Sequence, residues 1–205
     1  MISHHHKAIF VHIPKCGGQS VEMTFMEDLG LDWDNRAPLL LRERVEGEKA
    51  PPRLAHLTAD EYTENCYITP EMFSDYYKFT VVRDPYARLI STYNYLGVKE
   101  EVNAFISRLD SVFEEKKGRY WFMKPQADFL VSKDGKLAVD EVIKLEELSE
   151  KWAAIADKLR LKNTTLPHVN KSMVKKASVS DITPESREIV SRLFAKDFAL
   201  LGYEK

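Results

Sequence analysis

Apolar positions along the chain fall into short runs, and the runs alternate between a strand-like and a helix-like period. Residues 9–13, IFVHI, are almost continuously apolar or β-branched, which predicts a short buried strand. Pro14 ends it, because proline has no N–H for a ladder. Val21, Phe25 and Leu29 then recur every four residues, the mark of a helix packed by one face. The pattern repeats downstream. Tyr77 to Val82 predicts a strand, Asp84 and Pro85 start a helix, and Tyr86, Leu89, Ile90 and Tyr93 form its core face.

Between these units, residues 30–52 are a polar excursion closed by Pro51 and Pro52. Residues 53–57 predict a short strand, after which Thr58 and Glu61 make a capping box. Thr69 and Pro70 open another helix. Residues 98–123 predict a helix with Val102, Phe105, Ile106 and Leu109 on one face, ending in the aromatics Tyr120, Trp121 and Phe122. These three fit either core packing or an acceptor cleft. Val139–Leu145 predicts a buried strand. Residues 146–160 form a helix with Trp152, Ile155, Ala156 and Leu159 inward, and 183–203 a last capped helix packed by Ile189, Val190, Leu193 and Phe194. Such alternation predicts an α/β fold: a three-layer domain with a mainly parallel central sheet and helices on both faces, residues 1–205 forming a single domain.

Chemistry concentrates at the turns. After Pro14 come Lys15, Cys16, Gly17, Gly18, Gln19 and Ser20, leading straight into a helix. A helix N-terminus presents unpaired N–H groups and a positive dipole end, which favours an anion. Gly17 and Gly18 let a phosphate approach the backbone, Lys15 adds a positive charge and Ser20 a hydroxyl. The order is not that of a Walker A loop, where lysine follows the glycines. In the second strand–turn–helix, Arg83 ends the strand, and Arg88 and Ser91 lie three apart on the helix. An arginine fork suits a phosphate, and pairing of Arg83 with an acid and solvation of Arg88 is the competing reading. His56 ends the predicted 53–57 strand, where ligands gather in open α/β sheets.

Composition narrows the classes. The 205 residues carry a net charge of −2, so bulk nucleic-acid binding is not indicated. Two cysteines, Cys16 and Cys66, imply no disulfide framework and suggest a reducing compartment. The chain has no 18-residue apolar stretch or secretory h-region, so a cytoplasmic protein without a membrane span is expected. The sequons at Asn163 and Asn170 mean little without secretion. His4, His5 and His6 are expected to be a solvated lead-in to the first strand, with a metal-binding tract or a tag remnant as alternatives.

Taken together, HIPKCGGQS (12–20) and RDPYARLISTY (83–93) resemble the two cofactor loops of the sulfotransferase superfamily that uses 3′-phosphoadenosine 5′-phosphosulfate (PAPS). The first resembles the 5′-phosphosulfate loop, H-x-P-K-T-G-G-T-S in the carbohydrate-modifying branch. The second resembles the 3′-phosphate loop, R-D-P-x-x-R-x-x-S-x-Y. The branch that these loops resemble is the one containing heparan sulfate 2-O-sulfotransferase and bacterial relatives. Weaker resemblance extends to KPQADFL (124–130), VIKLEELSEKW (142–152), LPHVNKS (166–172) and DFALLGY (197–203). Cys16 stands where threonine is usual and Gln19 where threonine or serine is usual, and no membrane anchor of the kind typical of Golgi members is expected.

The resemblance implies a P-loop-like fold and sulfuryl transfer from PAPS to a hydroxyl acceptor, a carbohydrate by branch, without a metal. It assigns Lys15, Cys16, Gly17, Gly18, Gln19 and Ser20 to the 5′-phosphosulfate and Arg83 and Ser91 to the 3′-phosphate. Lys171 and Ser172 fall in a loop that returns to the cofactor. Lys15 and His56 are the expected catalytic residues, His56 as general base with His168 as its rival. His12, by strand alternation, points into the packing. The partners expected are a small-molecule or glycan acceptor, with no nucleic acid. Other readings are a P-loop kinase of a small metabolite and a non-catalytic nucleotide- or glycan-binding relative.

Overall fold

The computed structural model describes residues 1–167 and 176–205. They pack as two compact units, Met1–Val82 with Asp128–Val169, and Arg83–Ala127 with Asn170–Lys205.

The first unit carries the sheet. Strands β1 (Ile2–Ser3), β2 (Ala8–Val11), β3 (Tyr77–Val82) and β4 (Glu141–Lys144) lie in that order. β1 runs antiparallel to β2, while β2, β3 and β4 are parallel, with Phe10 opposite Phe79 and Thr80 opposite Val142. All of β2 is buried, as expected for a strand covered on both faces. The Phe10 and Phe79 rings lie 5.0 Å apart in this core, and Phe25 stacks on Phe79. Phe25 comes from helix α1 (Gly18–Asp28). Helices α2 (Ala59–Glu64) and α3 (Pro70–Asp75) start at Thr58 and Thr69 as predicted, the former with the full Thr58/Glu61 capping box. The α/β class and the mostly parallel sheet flanked by helices are therefore as expected.

Several local expectations change. Residues 4–7 are not a loose lead-in but the tight turn joining β1 to β2. His4 and His5 are exposed, yet the His6 ring is buried against Asp28, Nε2 to Oδ2 at 3.0 Å, and His4 meets the Tyr76 hydroxyl at 2.9 Å. The 53–57 segment is not a strand: Leu54–His56 is a single 3₁₀ turn, and only Arg53 bridges back, to Glu43. Its apolar alternation buries Leu54 and His56 without a ladder. The strand expected over 139–145 shortens to β4, the edge of the sheet, half-buried apart from Ile143.

The second unit is helical. It comprises α4 (Pro85–Leu96), α5 (Val102–Ser107), α6 (Leu109–Glu115) and α7 (Tyr120–Met123), and then, after α8 (Ala127–Leu130) and α9 (Leu148–Lys158), α10 (Pro184–Leu193) and α11 (Ala195–Leu201). The long helix expected over 98–123 is three short ones: it breaks at Arg108 between α5 and α6, and again between α6 and α7, where Lys116 and Gly118 take positive φ. The last helix is likewise two, broken at Phe194. The expected faces do bury: Tyr86, Leu89, Ile90 and Tyr93 pack with Phe105, Ile106, Leu109, Val190 and Phe194. Each such side chain contributes about 1.5–3 kcal/mol through burial. Phe122 joins this cluster and Trp121 packs against it, so the aromatic run follows the core-packing reading. Among the described residues no helix is long and apolar enough to cross a membrane.

Candidate active site

The turn after β2 is built by its backbone. Lys15 and Gly17 take positive φ, 67° and 78°, which folds residues 14–17 back on themselves, and α1 begins at Gly18. Left-handed backbone is cheap for glycine and costs a lysine strain of the sort found at ligand sites. The first turn of α1 has no acidic residue, and no side-chain cap hydrogen bond comes from Gly17 at its N-cap. Its N-terminal N–H groups and its positive dipole end therefore suit an anion, and the 5′-phosphosulfate of PAPS fits this donor set. Lys15 and Ser20 are partly exposed, Gln19 exposed, and Cys16 buried, its thiol directed to the Pro14 carbonyl at 3.7 Å.

Each glycine also answers to a neighbour within the protein. A Cβ on Gly17 would come within 2.6 Å of Leu145 Cδ1, and one on Gly18 would collide with Cδ2 and Nε2 of His12. Gly18 thus makes room for an imidazole as well as for a ligand. His12 lies just beyond β2 and points into the packing, as its place in the alternation predicts. It is 6% exposed, and its Nδ1 donates to Glu22 Oε1 at 2.6 Å. Burial pushes the Glu22 carboxyl up, but the charge and hydrogen bond of His12 outweigh it, and the group sits below the ordinary carboxylate range.

His56 packs edge-on to this pair, its ring 4.5 Å from that of His12. Its Nδ1 donates to the backbone carbonyl of His12 at 2.9 Å, so in the neutral ring Nε2 carries the lone pair. Burial first, and the neighbouring His12 second, hold the His56 imidazole well below its ordinary value. It is therefore neutral at pH 7, the state a proton acceptor needs.

The second candidate loop, which carries Arg83 and Arg88 and lies in the other unit, is built by side chains. Asp84 caps α4 by accepting from the Ala87 N–H at 2.8 Å. Arg83 is half-buried, and both its backbone polar groups bind the Gln126 side chain. Ser91, one turn beyond Arg88, is partly exposed. Arg88 is not solvated: at 3% exposure, its guanidinium donates to the carbonyls of Lys124 at 2.9 Å and Phe122 at 3.2 Å. It braces this unit from within.

Within its own unit, the structure brings His56 beside His12, next to the 14–17 turn. Lys171, Ser172 and His168 lie outside the described residues. Glu22, Gln126 and Asp197 are polar participants that local sequence reasoning missed. Glu22 carried one signal, a carboxylate beside Val21 on a helix otherwise packed by its apolar face. Gln126 and Asp197 fell in the KPQADFL and DFALLGY stretches, but nothing local tied them to Arg83.

The model of the Sulfotransferase family matches residues 1–204. No curated protein matches the chain. A crystal structure of a sulfotransferase from Alicyclobacillus acidocaldarius shares the fold, with a TM-score of 0.54 at 17% identity, covering 97% of this chain and 96% of that one. The chain therefore belongs to the Sulfotransferase family and is a PAPS-dependent enzyme of sulfuryl transfer.

Proposed function

We propose that this enzyme sulfates a hydroxyl of a carbohydrate acceptor, with residues 1–205 working as one sulfotransferase domain. PAPS, when bound, supplies the sulfuryl group and an adenosine 3′,5′-bisphosphate leaving group. Lys15 and the 16–20 turn hold the 5′-phosphosulfate, and Arg83 and Ser91 hold the 3′-phosphate. The cationic clamp falls to Lys15, whose ammonium neutralises charge developing on the leaving oxygen. His56 Nε2 accepts the acceptor's hydroxyl proton as that oxygen attacks sulfur and the sulfur–oxygen bond to the 5′-phosphate breaks.

The observation that carries this reading is the 14–20 turn, left-handed at Lys15 and Gly17 and opening on a helix end without acids. The carbohydrate rests on the branch that the two loops resemble. Cys16 and Cys66, both thiols outside any disulfide, agree with a reducing, cytoplasmic setting, and the near-neutral charge with an acceptor other than nucleic acid. Release of adenosine 3′,5′-bisphosphate from PAPS, followed with a panel of glycans and phenols and with EDTA beside Mg²⁺, tests it. Turnover with glycans and indifference to EDTA are expected. Turnover with phenols alone would replace the acceptor, and strict Mg²⁺ dependence would favour kinase-type chemistry.

A further inference from the structure

Gln126 and Asp197 are fully buried polar side chains that take no part in the chemistry above. The Arg83 N–H donates to Gln126 Oε1 at 2.9 Å, and Gln126 Nε2 donates to the Arg83 carbonyl at 2.8 Å. One planar amide thus closes a ring on a single residue. The backbone N–H groups of Gln126 and Ala127 donate in turn to the two carboxylate oxygens of Asp197, at 2.9 and 2.8 Å. Asp197 sits in the first turn of α11, and burial pushes its carboxyl up against the opposing pull of Arg88 and these N–H groups.

The arrangement answers a problem of backbone chemistry. Arg83 is the first residue past β3, so its N–H and carbonyl have left the ladder and need other partners. An amide side chain offers an acceptor and a donor side by side in one plane without any change of protonation. Burying that amide is unfavourable unless both ends are satisfied, and here both are. The peptide at 83 is consequently held in one orientation, and with it the direction in which the Arg83 side chain leaves the backbone.

We propose that Gln126, held by Asp197, is a positioning residue that aims Arg83 at the 3′-phosphate of the nucleotide. This rests on the assignment of Arg83 to that phosphate. A purely structural Gln126 would lower stability and weaken all nucleotides alike, whereas a positioning one acts on the 3′-phosphate selectively.

The test is calorimetric affinity for adenosine 3′,5′-bisphosphate and for AMP, with thermal melts, in the parent enzyme and in Gln126→Met, Gln126→Glu, Asp197→Asn and Arg83→Ala. The parent should prefer the bisphosphate by at least about tenfold, the scale of one charge-assisted hydrogen bond. Gln126→Met, which keeps the bulk and removes both bonds, should reduce that preference about fivefold while AMP affinity stays within about twofold. Gln126→Glu keeps an acceptor for the Arg83 N–H and should lose less, and Asp197→Asn less again. These two milder variants read the same ratio if Gln126→Met does not fold. A preserved ratio in the Gln126 variants, or equal loss of both nucleotides, overturns the positioning role provided Arg83→Ala still collapses the ratio. A preserved ratio in Arg83→Ala overturns the underlying assignment instead.

Discussion

The two segments proposed to bind the phosphates of PAPS are built from different materials. The 14–20 turn uses backbone: left-handed residues, a helix end, and glycines whose missing side chains admit neighbours. The Arg83 segment uses side chains: a charged fork, an amide that grips its peptide, and a buried carboxylate that grips the amide's own backbone. A backbone site tolerates changes of side chain so long as the chain path survives. A side-chain site depends on residues far along the sequence. On this contrast, Cys16, where threonine is usual, and Gln19, where threonine or serine is usual, are expected to leave the proposed first site intact.

The largest expected effect falls beside the backbone-built turn. His56→Ala should lower kcat by about 10²–10⁴-fold and leave nucleotide affinity nearly unchanged, the signature of a positioned base. Steady-state kinetics beside calorimetry checks this. Near-normal turnover, with a folded and nucleotide-binding but inactive His168→Ala, would move the role to His168.

Next comes the pair of arginines. Arg83→Ala should weaken adenosine 3′,5′-bisphosphate about tenfold with little change in Tm. Arg88→Ala strands the Phe122 and Lys124 carbonyls, at about 1–3 kcal/mol for each that remains buried, and should lower Tm instead. If Arg88→Ala hurts affinity more and stability less, the two have exchanged parts.

Acid should act on the fold more gently. His56 and His6 both titrate below their ordinary value in the folded protein, so the unfolded chain binds more protons as pH falls below about 6.5. Stability therefore declines on acidification from that point, and urea unfolding at pH 7.5 and 5.5 should show it. A flat profile would mean that these rings are not excluded from protonation.

The smallest effect should be Gln19→Thr. The residue is exposed in the first turn of α1, next to a loop shaped by its backbone, so a change within about 0.5 kcal/mol, or roughly twofold in the KM for PAPS, is expected. A tenfold change would show that the amide itself holds the anion and would narrow the contrast between the two segments.

Both loops were legible because each is contiguous: strand, turn and helix follow one another in a single run of residues. The N-caps at Thr58, Thr69, Asp84 and Thr183 were legible for the same reason, since capping is decided within four residues. What escaped depended on distance. The 53–57 segment alternates like a strand, yet a strand also needs a partner, and the local pattern carries no information about one. His6 read as solvated because Asp28 lies 22 positions away. The clamp on Arg83 comes from 43 positions away, through an amide that in isolation reads as an ordinary polar residue. Lys116 and Gly118 split a helix whose apolar faces nevertheless pack as their spacing foretold.

The contact between Gly18 and His12 makes those two positions a single steric unit. An alanine at 18 has nowhere to go while the imidazole occupies the space, and removing the imidazole alone leaves a hollow beneath the anion turn. The two substitutions should therefore be strongly non-additive, Gly18→Ala doing less harm in a His12→Ala background than in the parent. Such a hollow is also shaped for the ring it lost, so free imidazole added to His12→Ala would find a ready-made berth against Gly18, with the Glu22 carboxylate waiting for its N–H.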